Sequence, residues 1–227
     1  MIGLQVSEIF TSIEGEGIRA GYLTNFIRLA NCNLDCAYCD TVYAKNDDTA
    51  VEMTVSQIIN KFDKDVKKVT ITGGEPFFRE KDEIVELIDA LKDYEISVET
   101  NGTGIFRKIH SRYQDISFIV DYKLPDSLME HHMILDNYFI LREHDAVKFV
   151  VSSYKDLTRM VEIADIITCK VKNPPMFFVS GAKCEKTDSS KIKLTEIADF
   201  IKNNKLNKIR MQLQLHKYIW NPQIKGK

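Results

Sequence analysis

The chain has 227 residues, 44% of them hydrophobic and 28% charged, the make-up of an ordinary globular protein of one large domain or two small ones, and disorder is excluded as its main state. Thirty-one Lys and Arg against 33 Asp and Glu leave a formal charge of -2, so no overall field is built to attract nucleic acid or an anionic membrane. Met1 to Ser7 carry no basic stretch followed by an apolar core, and no run of about 18 apolar residues is present to cross a bilayer; the expectation is a cytoplasmic protein.

In chain order, an opening strand is predicted near Val6 to Phe10 and a second at Asn25 to Leu29, which runs into a cysteine-rich loop. Thr54 reads as an N-cap with Gln57 three residues on, and Val55, Ile58, Ile59 and Phe62 form one helical stripe. Lys68 to Thr72 reads as a strand, and Ile84, Val85, Leu87, Ile88 and Leu91 as the apolar face of the next helix. Further strands are predicted at Ile96 to Glu99, Phe118 to Asp121, Val147 to Val151, Met176 to Val179 and Ile209 to Leu213, with helices around Asp156 to Ile167 and Thr195 to Asn203. Six or seven parallel strands alternating with helices give either an open doubly wound sheet or a full or partial barrel, between which periodicity does not choose. No repeat, low-complexity tract or Pro-rich linker divides the chain, so one domain over residues 1–227 is expected. The glycines gather in short segments at strand ends, where α/β proteins of both kinds bind ligands.

Three thiols, Cys32, Cys36 and Cys39, follow the second strand with spacings of four and three. They are too crowded for the disulfide framework of a small secreted domain and read as metal ligands in a reducing compartment. A closed zinc site wants four ligands, and no fourth Cys or His lies nearby in sequence. An iron-sulfur cube held by three thiolates keeps one iron open to an outside ligand.

This CxxxCxxC loop resembles that of the radical S-adenosylmethionine (SAM) enzymes, in which it follows the first barrel strand. The resemblance implies a single-domain partial TIM-type (β/α)6 barrel, a 4Fe-4S cluster on the three cysteines, and SAM on the open iron as the source of a 5'-deoxyadenosyl radical. Thr72-Gly73-Gly74-Glu75-Pro76 is similar to the family's segment for the methionyl ammonium, a role that suits the close backbone approach allowed by Gly73 and Gly74 and the acceptor carboxylate of Glu75. By the same resemblance Glu99, in Glu99-Thr100-Asn101-Gly102, meets the ribose hydroxyls, Tyr38 lies beside the adenine, and Lys123 is a further cofactor contact.

Glu8 to Gly17, Phe26 to Ala30, Cys39-Asp40-Thr41 and Gln214-Leu215-His216-Lys217 resemble the 7-carboxy-7-deazaguanine synthase family over Glu8 to Pro222, more weakly from Ile105 to Ile192. That resemblance implies ring contraction of 6-carboxy-5,6,7,8-tetrahydropterin to 7-carboxy-7-deazaguanine with loss of ammonia, on the route to queuosine and related deazapurines. It also implies a homodimer, a flavodoxin-like or ferredoxin-like electron donor, and a C-terminal extension that completes the substrate site. Arg28 suits a carboxylate clamp, Glu14 and Glu16 suit the pterin N–H groups, His216 stands near the ring, and Thr41 resembles a Mg2+ ligand. Glu14 stands where Gln is expected. Asn31 replaces a glycine before the first cysteine, and asparagine tolerates left-handed backbone. Taken singly, Arg28 and Glu16 are more often surface ion-pair partners, Thr41 more often a turn or cap hydroxyl and His216 more often structural; their joint order along the chain is what points to a site. The competing readings are another radical SAM enzyme such as a glycyl-radical activase, and, from another class, a zinc-stabilised module whose Lys-rich tail (Lys202, Lys205, Lys208, Lys217) meets RNA.

Overall fold

The computed structural model describes residues 3–45, 50–78, 82–182, 191–221 and 226. Nine strands form one sheet in the order β3-β1-β2-β4-β5-β6-β7-β8-β9. They are β1 Leu4–Ile13, β2 Leu23–Leu29, β3 Val51–Met53, β4 Lys68–Gly73, β5 Glu95–Thr100, β6 Ser117–Tyr122, β7 Ala146–Val151, β8 Met176–Gly181 and β9 Ile209–Met211. From β2 to β9 every pairing is parallel, which makes seven parallel strands, while β1 pairs antiparallel with both β2 and β3. The sheet ends at β3 and β9 without closing, as a partial barrel does.

Helices α1 Val55–Asn60, α2 Asp82–Ala90, α3 Phe106–Arg112, α4 Tyr154–Lys170 and α5 Leu194–Asn203 connect the parallel strands, and a short α6 spans His216–Ile219. At α1 the expected capping box is present, with Thr54 accepting from the Gln57 amide and Gln57 reaching back to the Thr54 N–H. The connection from β6 to β7 departs from the strand-helix rule. Three 3-10 turns, Pro125–Ser127, Glu130–His132 and Leu135–Asn137, replace a helix there. The first turn opens on a proline, and Leu128 behind it adopts φ 65°, so the chain cannot propagate a helix through this point.

The two-residue period of the strands sorts their side chains between two environments. Val69, Ile71, Val98, Phe118, Val120, Val147, Phe149, Phe177 and Val179 face the helices and join the main core with Leu87, Phe106, Met160 and Ile197. The alternate positions face the barrel lumen. Low in the lumen they are apolar: Ile119, Ala146 and Phe178 pack together with Ile18 and Met176. Ile18 belongs to a 3-10 turn, Gly17–Arg19, that enters the lumen between β1 and β2. Higher up, the lumen-facing positions are Thr70, which is buried, and Thr72, Glu99, Asp121 and Lys148, which border the cavity.

Candidate active site

A cavity of about 290 Å³ opens at the carboxyl ends of the parallel strands. Cys32, Cys36 and Cys39 all line it, and all three are free, half-buried thiols. Their loop leaves β2 through Asn31, whose φ of 76° is the left-handed conformation expected of a residue standing in for glycine. The loop is pinned to its neighbours through backbone groups: Asn31 N–H donates to the Ala44 carbonyl at 2.8 Å, Glu75 N–H to the Asn31 carbonyl at 2.7 Å, and Ala37 N–H to the Ser127 carbonyl at 3.1 Å. Gly73 and Gly74 press against the same loop. A Cβ on Gly73 would overlap the backbone of Leu29, and one on Gly74 the carbonyl of Asn31, so the two glycines are what lets β4 end flush against the cysteine loop.

Among the described residues no three His, Cys, Asp or Glu converge as a cage for a single metal ion. The donor set nevertheless fits an iron-sulfur cube, which takes its thiolates one per iron and therefore spread apart. Burial pushes the Cys32 and Cys36 thiols up, with Lys123 pulling the other way. Bound iron, rather than the protein field, would hold them as thiolates. Cys169 is exposed on α4, and Cys184 lies outside the described residues.

Of the other residues singled out by sequence, Glu14, Glu16, Arg28, Tyr38, Thr41, Gly73, Gly74, Glu99, Lys123 and His216 all line the same cavity. Glu75 does not. Its carboxylate is fully buried behind the wall, where Oε1 accepts from the Phe77 amide at 3.0 Å and the Thr100 hydroxyl at 2.5 Å, and Oε2 from the Asn101 amide at 2.6 Å. Burial pushes it up to about 7, with the three hydrogen bonds opposing. Glu75 thus ties the end of β4 to the end of β5, and Gly73 and Gly74 present the backbone to the cavity.

Glu99 Oε2 accepts from the Thr72 hydroxyl at 2.9 Å. Tyr38 donates its hydroxyl to the Val150 carbonyl at 3.2 Å, which fixes the ring along the wall. Arg28 stands opposite Glu8 in the β1–β2 register, and its Nε donates to Glu8 Oε1 at 2.7 Å. The same oxygen accepts from the Tyr43 hydroxyl at 2.5 Å. Phe10 and Phe26, the next cross-strand pair on that face, stack at 4.9 Å, and the guanidinium lies over Phe10. Thr41 Oγ1 lies 3.8 Å from Cys39 Sγ. His216 rests on Gly15, with Nε2 3.8 Å from Asp40 Oδ2.

Several residues of the wall were not singled out by sequence. Lys148 reaches Glu16 Oε2 at 3.1 Å and Asp121 Oδ1 at 3.3 Å, and Asp121 also pairs with Lys123 at 2.6 Å. Burial opposes the charge of Lys148, and Asp121, Glu16 and Glu99 outweigh it, holding the amine well above its ordinary value. Burial likewise pushes Asp121 up, and the two lysines overcome it and keep the carboxylate below its usual range. The signal in the sequence was a lysine inside the apolar run Val147-Lys148-Phe149-Val150, since a buried strand lysine needs a partner. Lys217, which the competing reading placed in a tail that meets RNA, lies at the site, donating to Gln214 Oε1 at 2.5 Å and standing 3.3 Å from Asp40.

The chain is similar along nearly its whole length to the 7-carboxy-7-deazaguanine synthase of Clostridium acetobutylicum, at 40% identity over 227 residues, covering 98% of each. The chain belongs to the 7-carboxy-7-deazaguanine synthase family. The family's member from Methanospirillum hungatei JF-1 is 38% identical over 97% of this chain and 87% of its own length. Residues 26–122 match the model of the radical SAM superfamily. In fold, this synthase-family chain is similar to the crystal structure of QueE from Escherichia coli, with a TM-score of 0.66, 19% identity and 93% of each chain covered. It is similar also to Streptococcus suis SuiB bound to S-adenosylmethionine, with a TM-score of 0.56 and 16% identity over 85% of this chain and 52% of that one. Full-length kinship to synthases decides against the activase and the zinc-stabilised RNA module. The described residues include no helix long and apolar enough to cross a membrane.

Proposed function

We propose that this cavity carries out the radical SAM ring contraction of 6-carboxy-5,6,7,8-tetrahydropterin to 7-carboxy-7-deazaguanine with loss of ammonia. One observation carries the assignment of residues: a single cavity is walled on one side by the three free thiols and on another by Glu14, Glu16 and Arg28. When bound, a 4Fe-4S cluster on Cys32, Cys36 and Cys39, with SAM at its open iron, supplies the carbon radical that removes a hydrogen atom from the substrate.

The protein's own part is binding, orientation and exclusion of water. Gly73 and Gly74 bring backbone carbonyls to the methionyl end of SAM, Glu99 accepts from the ribose hydroxyls, and Tyr38 flanks the adenine. Lys123, fixed by Asp121, adds positive charge beside the cofactor's carboxylate. Arg28 clamps the substrate carboxylate with the edge of its guanidinium that Glu8 leaves open. Glu16, already paired with Lys148, accepts from the aminopyrimidinone N–H groups through Oε1, which is buried without a protein partner among the described residues. His216 closes the ring's far side. Thr41 offers a hard oxygen to Mg2+. The reading also carries a flavodoxin-like or ferredoxin-like electron donor and a homodimer.

The deciding experiment is anaerobic incubation of the reconstituted protein with SAM, dithionite and carboxytetrahydropterin, read by product mass. Formation of 7-carboxy-7-deazaguanine and 5'-deoxyadenosine supports the reading. Zinc in place of iron and sulfide, or a different product, overturns it.

A further inference from the structure

Arg19, at the end of the turn that plugs the lumen, spreads its guanidinium across β4 and β5. Nη1 donates to the Glu95 carbonyl at 2.8 Å, and Nη2 donates to the Val69 carbonyl at 2.8 Å and to Thr70 Oγ1 at 2.6 Å. Thr70 is fully buried, and its hydroxyl lies 2.6 Å from Glu14 Oε2. A guanidinium has donors and no acceptor, so Arg19 donates to Thr70. The buried Thr70 hydroxyl has no other acceptor among the described residues for its own hydrogen, so it donates to Glu14. Oε2 of Glu14 is an acceptor whatever the charge of the carboxyl group. Oε1 has the Gly15 N–H at 3.1 Å, and Glu14 borders the cavity.

We propose that Arg19 and Thr70 are positioning residues that act through Glu14, reserving one carboxyl oxygen as a permanent acceptor so that the other carries the proton and donates to an acceptor atom of the substrate, a lactam carbonyl or ring nitrogen. The identity of that substrate rests on the ring-contraction reading; the relay itself does not. This role differs from the acceptor role expected for Glu14 from sequence. The surroundings favour the neutral form. Burial is the largest influence pushing Glu14 up to about 7, with Glu99 on β5 and Glu16 in its own loop acting the same way, while Thr70 and Arg19 pull it down. Lys148 on β7 is engaged by Glu16 and Asp121, and His216 on α6 packs against Gly15.

The test uses the anaerobically purified holoenzyme without substrate. Infrared difference spectra of the protonated-carboxyl band are recorded across pH for the wild type, Glu14→Gln, Thr70→Val and Thr70→Ser. Subtracting Glu14→Gln from wild type is expected to isolate one carboxyl titrating near pH 7. Thr70→Val should move that titration to higher pH and Thr70→Ser should keep it in place. An unchanged band in Glu14→Gln, or an unmoved titration in Thr70→Val, overturns the relay. A second measurement is the Kd of carboxytetrahydropterin against pH. Wild type should weaken by about tenfold as Glu14 ionises, the loss of one hydrogen-bond donor, and Glu14→Gln, a neutral donor at every pH, should stay tight and flat. Weak binding by Glu14→Gln at all pH with a normal wild type overturns the donor role. Failure of the wild type to bind the pterin at any pH counts against the ring-contraction reading, and the infrared titration still decides the relay.

Discussion

Arg28 is gripped at Nε by Glu8, and Glu8 is itself held by Tyr43, so the guanidinium is fixed before any substrate arrives. Among the described residues Nη1 and Nη2 make no hydrogen bond, which leaves the outer edge of the fork to the cavity. Lysine at this position keeps the charge and loses the fork. Arg28→Lys should lower kcat/KM for carboxytetrahydropterin by about tenfold or more, the loss of one charge-assisted hydrogen bond, while reductive SAM cleavage persists. Parallel loss of SAM cleavage would move Arg28 to the cofactor site. Cys32→Ala, Cys36→Ala and Cys39→Ala should each abolish iron binding and turnover, and exposed Cys169→Ala should do neither, as iron and sulfide analysis would show. The gathering of Cys32, Cys36, Cys39 and Arg28 at one cavity and the left-handed backbone of Asn31 were legible at this scale because the spacing and the conformational tolerance behind them are local. Glu8 and Tyr43 were not assigned around Arg28 because Glu8 meets it through a strand register, offset by the irregularity between Val6 and Glu8, and Tyr43 reaches Glu8 from the turn Val42–Ala44 after the cysteine loop, neither of which a short window of sequence displays.

Among the elements, the strands and the long helices followed from period two and period 3.6, and the observed bounds differ from the predicted ones mainly at their ends. The strand β3 and the helices α3 and α6 were not anticipated. α3 buries only Phe106, Ile109 and His110, too few apolar positions to form a stripe. β3 has three residues and is held by its pairing to β1. The β6–β7 connection lacks a helix for the reasons given by Pro125 and Leu128. Where β2 and β4 end together, Gly74→Ala would drive a methyl group into the Asn31 carbonyl and displace the cysteine loop. Its expected outcome is a folded protein, by circular dichroism, with cluster content well below that of the wild type; full cluster occupancy would show that the loop yields. Glu75 acts on the same junction. An amide at this position turns a donor toward the Asn101 N–H or toward the Phe77 and Thr100 donors, leaving a buried group unpaired, so Glu75→Gln should cost about 1–3 kcal/mol in urea unfolding.

Across the whole molecule, the sheet's open side is spanned by side chains and loops instead of strand pairing. Glu16 reaches Lys148 across the lumen, Gly17 N–H donates to Gln212 Oε1 at 2.8 Å, and Leu215 N–H donates to the Gly15 carbonyl at 3.1 Å. The loop after β1 thereby binds both the far strand and the C-terminal segment, which also explains why Glu14, Glu16 and His216 meet at one cavity from opposite ends of the sequence. Lys148 is the shared cation of Glu16 and Asp121. Lys148→Met would preserve the length of the side chain, strand the buried carboxylate of Glu16 and leave Asp121 with Lys123 alone. The expected cost is about 3–5 kcal/mol, as for removing one partner of a buried ion pair. The variant should also acquire a pH dependence of definite sign. Without the lysine, Asp121 loses one of the two cations that hold its carboxylate below the usual range, so its folded-state pKa rises from the wild-type value. The variant's deficit relative to wild type is then smaller at low pH, where Asp121 is neutral in both proteins. It grows as pH rises through the depressed wild-type value and levels off above the variant's higher one. Urea unfolding of both proteins at several pH values measures this. A deficit that is constant with pH would mean that Lys148 contributes by packing and not by neutralising the lumen, and the cross-lumen tie would then have to come from Gly17 and Leu215 alone.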